Sequence, residues 1–320
     1  MDAQVVVNQG AGSVDGAEVE AQRVEIAEAF ASAGATCEIA FVAGEQLEAA
    51  LRRAVAARPD VVVVAGGDGT LGTAAAVLAD GDVPLGVLPL GTFNHFAKDM
   101  GIPLDPGEAA AAIVGGRVEH VDVGEVNGRC FVNNSSLGVY PVMVGLRDDL
   151  RERRGWGKVR AVPVAMWRVL RRFPARRLTI SADGYRSTLR TPFVFVGNNR
   201  YDVGPRGVGQ RSSITGGELC VYIARSASRL RLVGLALRAV VQGSDAVRDL
   251  DEHAAPEITV EAGSHRLRVA VDGEVTTMRA PLRYRVRAGA LAVRVPERTY
   301  DVPTGASTAD AAGADAEPRD

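Results

Sequence analysis

The chain has 320 residues, 47% of them apolar and 24% charged, enough for two domains with a sizeable buried core. No run approaches the roughly 18 apolar residues of a spanning helix, and the opening MDAQVVVNQG lacks the basic-then-apolar order of a secretory signal, so a cytoplasmic protein is expected. The net charge of −2 resides in the last stretch, Pro303–Asp320; without it 36 basic and 35 acidic residues remain, no excess that would suit nucleic acid.

Strand and helix signals alternate over the first 115 residues. Gln4–Asn8 is a β-branched run ending in a glycine-rich turn, and Ala17–Ala33 has helical spacing, with Val19, Ile26 and Phe30 on one face. Thr36–Val42 reads as a strand, Glu45–Ala57 as a helix, and Asp60–Ala65 as a strand apolar on both faces, which suits the centre of a parallel sheet. Thr70–Leu78 is helical, Leu85–Pro89 is a further strand, and a helix signal follows from Thr92. Repeated units of this kind predict a parallel sheet with helices on both sides.

From about Arg117 strands follow one another: His120–Val126, Cys130–Asn134, Leu178–Ala182, Thr191–Gly197, Glu218–Ile223, Glu257–Glu261, Leu267–Val271, Arg283–Arg287 and Leu291–Val295. Their spacing predicts an antiparallel sandwich or barrel, interrupted by helical insertions near Lys158–Arg172 and Leu230–Val241. The expected organisation is an α/β domain over 1–117 and a β-rich domain over 118–300. A return of the last strand to the first domain is left open. The tail 303–320 is too poor in apolar residues to order itself. Cys37, Cys130 and Cys220 are scattered and fit a reducing compartment, suggesting neither a disulfide framework nor a zinc site.

Three glycine-bearing turns follow predicted strands at their C-terminal ends: Asn8–Gly12, Gly66–Thr70 and Gly91–Asn94. Ligands of open α/β sheets bind at that edge. Glycine admits a phosphate close to the backbone, and a following helix offers free N–H groups. A tight turn alone can need glycine for structural reasons, but three at one edge point to a nucleotide. Asp68 would repel phosphate unless a cation lay between them, which suggests Mg²⁺; its alternative is an N-cap of the next helix. Asp272-Gly-Glu274 has the form of a hairpin turn and could also aim a carboxylate across the interdomain cleft.

The runs VVVVAGGDGTLGTAAAVL and PLGVLPLGTFNHFAKDMGIPLD resemble the diacylglycerol kinase catalytic-domain family, which includes sphingosine kinases and bacterial soluble lipid kinases. VDVGEVNGRCFVNNSSLGVYP, FVFVGNNRY and AVDGE match its later signatures, so the resemblance runs from Val5 to about Pro296. It implies an α/β domain followed by a β-sandwich that binds lipid. It also implies an ATP site from Asn8, Gly10, Gly12, Gly66, Gly67, Asp68, Gly69, Thr70, Leu71, Thr92 and Asn94, with Mg²⁺ at Asp68 and Glu274 as general base. Catalysis is thus expected of Glu274 and Asp68, with diacylglycerol the first acceptor and a sphingoid base behind it. NAD kinase, which shares GGDGT, and a silent lipid- or nucleotide-binding module are the alternatives.

Three departures stand out. The GTxND element ends here in His95 instead of Asp, leaving His95 as a phosphate or head-group contact, or as a capping residue. Ile214–Leu219 lacks the acidic pair that holds a structural metal in some relatives, so none is expected there. The residues after Gly138 lack an Asp that accompanies amino-alcohol substrates. Finally, Arg147–Arg177 holds eleven basic residues against three acidic ones, with Trp156 and Trp167 among them. It reads as a peripheral membrane contact or as a solvated surface helix. A lipid at a membrane surface is the expected partner, with a homodimer kept open.

Overall fold

The computed structural model describes residues 1–9, 16–91, 94–138, 175–201, 211, 213–224 and 250–297. The first elements are β1 (Asp2–Asn8), α1 (Gly16–Ser32), β2 (Thr36–Val42), α2 (Leu47–Ala56), β3 (Val61–Gly66), α3 (Asp68–Leu78), β4 (Leu85–Pro89), α4 (His95–Asp99) and α5 (Pro106–Gly115). All six residues of β3 are buried, as a central strand covered on both faces requires. On α2 the buried residues Leu47, Ala50, Leu51 and Ala54 keep a 3.6-residue period and form the stripe that meets the core. The sequence reading had no element at α5. Its signals are local: Pro106 opens the helix and the Asp105 side chain accepts the Glu108 N–H at 3.0 Å.

The second half comprises β5 (Arg117–Val126), β6 (Arg129–Phe131), β7 (Asn134–Gly138), β8 (Arg176–Ala182), β9 (Tyr185–Thr191), β10 (Phe193–Asn198), β11 (Leu219–Ala224), β12 (Leu250–Ala255), β13 (Glu257–Ala262), β14 (Arg266–Val271), β15 (Glu274–Arg279) and β16 (Leu282–Val295). Strands β2-β1-β3-β4 pair in parallel, and the same sheet continues through β16 to β13, β8 and β9. A six-stranded antiparallel sheet, β12-β11-β10-β7-β14-β15, lies opposite. The chain is therefore an N-terminal α/β domain with a mostly parallel sheet, followed by an antiparallel β-sandwich. One core fills the first domain around Phe30, Leu51, Val63 and Leu88; a second, around Phe131, Ile180, Leu219, Val269 and Tyr284, fills the sandwich. No helix among the described residues is long and apolar enough to cross a membrane.

Two boundaries differ from the expectation for physical reasons. Arg283–Arg287 and Leu291–Val295 are one strand, β16, with an irregularity between them against β5. The buried Asp122 carboxylate holds that bulge by accepting the Gly289 N–H at 2.8 Å, while its other oxygen accepts the Gly217 N–H at 2.7 Å. Gly217 belongs to the Ile214–Leu219 stretch, so one oxygen of Asp122 is bonded to that stretch. Cys130–Asn134 is split, because the N–H groups of Val132, Asn133 and Asn134 leave the ladder to bond a side chain, that of Asp272. The insertions near Lys158–Arg172 and Leu230–Val241 and the tail lie outside the described residues.

A buried ion pair ties the two halves together. Arg211 Nε lies 2.7 Å from Asp99 Oδ2, with the two side chains 0% and 5% exposed. The guanidinium also donates to the carbonyl of Val132 and lies over the Phe96 ring. Removing one partner leaves the other charge uncompensated. Arg211→Ala is therefore expected to destabilise the fold by about 3–5 kcal/mol, whereas replacing both by apolar residues costs much less. Thermal unfolding of the single and double variants checks this; equal losses would show that the ion pair is not the source.

Candidate active site

Strand β3 delivers the chain into the turn Gly66-Gly67 and then into α3, whose first residue is Asp68. The N-cap is Gly67 and no side chain caps this end, so first-turn N–H groups are left for a ligand. Asp68 is thus not the cap of its own helix. Its Oδ1 instead accepts the Phe96 N–H of α4 at 3.4 Å. The side chain of Asn8, at the end of β1, donates to Thr70 Oγ1 at 2.9 Å and links the first strand end to this turn. Leu71 is buried behind it.

The turn after β4 presses against the one after β3. A Cβ on Gly91 would stand 2.6 Å from Gly67 Cα, so the two backbones meet with no room for a side chain. Asn94, buried and in the left-handed region at φ 51°, closes the second turn by donating to the carbonyls of Pro89 and Gly91. His95 follows as the exposed first residue of α4, next to the N–H that Asp68 accepts. Gly10, Gly12 and Thr92 lie outside the described residues.

The β14–β15 hairpin reaches the same place from the sandwich. Asp272 and Gly273 both have positive φ, 45° and 86°, which makes a tight two-residue reversal. Glu274 then lies against α3, because a Cβ on Gly69 would be 2.5 Å from Glu274 Oε1. Its half-exposed carboxylate pairs with Arg129 of β6 at 2.5 Å. An exposed pair is worth at most about 1 kcal/mol, so it holds the carboxylate only weakly. Asp68, Gly69 and Glu274, distant in sequence, therefore form one site.

Sequence reasoning named Asp272 only as part of the turn and gave it no role. Its Oδ2 accepts the Val132 N–H at 2.8 Å, and its Oδ1 accepts those of Asn133 and Asn134 at 2.9 and 3.0 Å. The same carboxylate faces Gly72 of α3, where a Cβ would be 3.0 Å from Oδ2. Burial pushes this carboxyl up to about 7; the three N–H donors pull the other way, and the Asp68 charge adds a small push upward. Arg129, Arg211 and Asp99 were also missed, since an ion pair between distant residues leaves no local pattern.

The residues present fit a nucleotide with a divalent cation. The two glycine turns form a cradle that a single Cβ would fill, beside an uncapped helix end. Among the described residues no group of three His, Cys, Asp or Glu could hold a metal. A cation here would rest on Asp68, water and the ligand's own phosphates, the usual manner for Mg²⁺.

Comparison with known proteins agrees with this arrangement. Residues 2–126 match the diacylglycerol kinase catalytic domain, and residues 149–295 match the YegS C-terminal NAD kinase beta sandwich-like domain. A Pseudomonas aeruginosa protein described as a probable lipid kinase YegS-like is 32% identical over 250 residues, 77% of this chain and 80% of that one. A diacylglycerol kinase of Mycobacterium tuberculosis is 32% identical over 194 residues, 58% of this chain and 61% of its own length. The crystal structure of a diacylglycerol kinase from Bacillus anthracis superposes with a TM-score of 0.69 at 22% identity, covering 92% of this chain and 96% of that one. The chain belongs to the diacylglycerol-kinase-type lipid kinases. As a member of a kinase family it is expected to use ATP.

Two measurements test the geometry. Gly91→Ala forces backbone from backbone and is expected to cost about 1–3 kcal/mol. Gly69→Ala displaces only the flexible end of Glu274 and costs much less; equal losses in thermal unfolding would contradict the contact between the turns. The second concerns pH. An unfolded Asp titrates near 3.9, whereas folded Asp272 does so at about 7. Between about pH 4 and 7 the folded chain keeps a proton that the unfolded chain has lost, so stability falls as pH rises through that window and levels off above it. Thermal unfolding from pH 5 to 8 should show this decline. Asp272→Asn should lack its share of the slope, and an unchanged slope would exclude Asp272 as the source.

Proposed function

We propose that this chain transfers the terminal phosphoryl group of ATP, with Mg²⁺, to the hydroxyl of a lipid alcohol drawn from a membrane surface, diacylglycerol being the first acceptor. The observation that carries the reading is the contact between Glu274 and Gly69, which sets a carboxylate of the sandwich beside the nucleotide-type turn. In this assignment the Gly67 and Gly91 backbones receive the phosphates, and the open N-terminus of α3 offsets their charge. Asp68 holds the cation, which when bound neutralises charge on the phosphate oxygens. Glu274 accepts the proton of the attacking hydroxyl, and Arg129 keeps its carboxylate near the cleft between reactions. Asp272 positions Glu274 by fastening the hairpin to the β6–β7 bend through three hydrogen bonds.

The test is to incubate the chain with labelled ATP, Mg²⁺ and diacylglycerol in mixed micelles, a sphingoid base or NAD. Label in phosphatidic acid supports the reading. Label in the sphingoid product moves the acceptor, label in NADP moves the class, and no label under any condition rejects a kinase. Glu274→Gln is expected to lower kcat by 10²–10⁴-fold with nucleotide affinity within about twofold of the parent. A variant of near-normal kcat would remove Glu274 from the role of base.

A further inference from the structure

We infer that Arg129 is a further catalytic side chain, one that contacts the terminal phosphate of ATP as well as the base carboxylate; this rests on the kinase reading of the same site. The β5–β6 hairpin fixes where the side chain starts. Asn127 and Gly128 make the reversal with positive φ, 48° and 85°. The Asn127 side chain donates to the Arg279 carbonyl at 3.0 Å and accepts the Arg283 N–H at 2.9 Å, which ties the turn to both sides of the β15–β16 connection. Arg129 follows at once on β6, which lies along α3: a Cβ on Gly72 would stand 3.7 Å from the Cys130 carbonyl oxygen.

Two features separate Arg129 from an arginine that only braces the fold. Among the described residues its guanidinium makes one hydrogen bond, from Nη2 to Glu274 Oε2, and the side chain is 42% exposed. The rest of its five-donor fork is open. Arg285 of β16, by contrast, closes on Glu125 with both Nε and Nη2, and Arg211 is spread over Asp99, Val132 and Asn133. The second feature is charge. Asp68 opens α3 and Glu274 lies against Gly69 in the same turn, and among the described residues Arg129 is the only basic side chain paired with either carboxylate. A triphosphate at the Gly67 and Gly91 turns adds negative charge beside Glu274, and a base carboxylate and a phosphate repel unless a cation lies between them. A planar guanidinium can bond both at once. As the lipid hydroxyl oxygen bonds to phosphorus, its proton passes to Glu274 and the bond to the ADP oxygen breaks. The neutral Glu274 then releases the guanidinium, which follows the charge onto the phosphoryl oxygens.

Titration calorimetry of the full chain with MgATP and with MgADP, run beside the kinase assay, tests the role. Arg129→Gln is expected to weaken MgATP about 10-fold and MgADP less than about twofold, and to lower kcat about 10³-fold. Arg129→Lys, which keeps the charge and loses the fork, should recover part of the preference for ATP and less of kcat; it carries the test if the Gln variant does not fold. Glu274→Gln is expected to lower kcat and leave the ratio of the two affinities near the parent's. An arginine that only holds Glu274 would lower kcat in Arg129→Gln without moving that ratio. That result, equal loss of both nucleotides, or a kcat near the parent's would overturn the proposal. If no lipid is phosphorylated and Arg129→Gln still removes the preference for ATP, the phosphate contact stands and the lipid-kinase reading falls. A chain that binds neither nucleotide overturns both.

Discussion

The site depends on backbone meeting backbone where no side chain can stand. Gly67 and Gly91 touch, Gly69 receives Glu274, and Gly72 receives Asp272. A methyl group at Gly69, Gly72 or Gly91 crowds the neighbouring element. The spacing of glycines along α3 therefore serves two surfaces, the turn facing β4 and the hairpin arriving from the sandwich. Four glycines, in the turns after β3 and β4 and in α3, set the distance between the parallel sheet and the carboxylate.

The hairpin in turn depends on a charge held out of water. The Asp272 carboxyl takes three consecutive N–H groups and thereby stops β6 from running into β7. The cost of enclosing it appears as its rise to about 7. Arg211 and Asp99 repeat the pattern nearby, a buried charged group met by its partner and by backbone. The junction between the domains is thus polar and specific, while each domain keeps its own apolar core.

Much of this was legible because it is periodic or local. Strands β2 and β4 keep the bounds read for them, Thr36–Val42 and Leu85–Pro89, and Gly66–Thr70 and Gly91–Asn94 follow the strand ends that meet. What escaped is what tertiary partners decide. β9, β12 and β15 are edge or half-exposed strands with polar residues such as Arg186, Glu252 and Thr277, and their alternation is too weak to read alone. The burial of Asp272 cannot be inferred from AspGly, since its three donors come from residues some 140 positions earlier. His95 was flagged by its departure from a motif, and it directly precedes Phe96, whose N–H Asp68 accepts.

β16 is hydrogen-bonded to β13 near its start and to β4 near its end, with β5 along its other edge. A single strand therefore runs as a beam through both domains. Rigid-body closure about a hinge would have to shear that ladder, and the one break in its register is clamped by Asp122. The mechanical consequence is that one continuous strand resists any change of angle between the two domains.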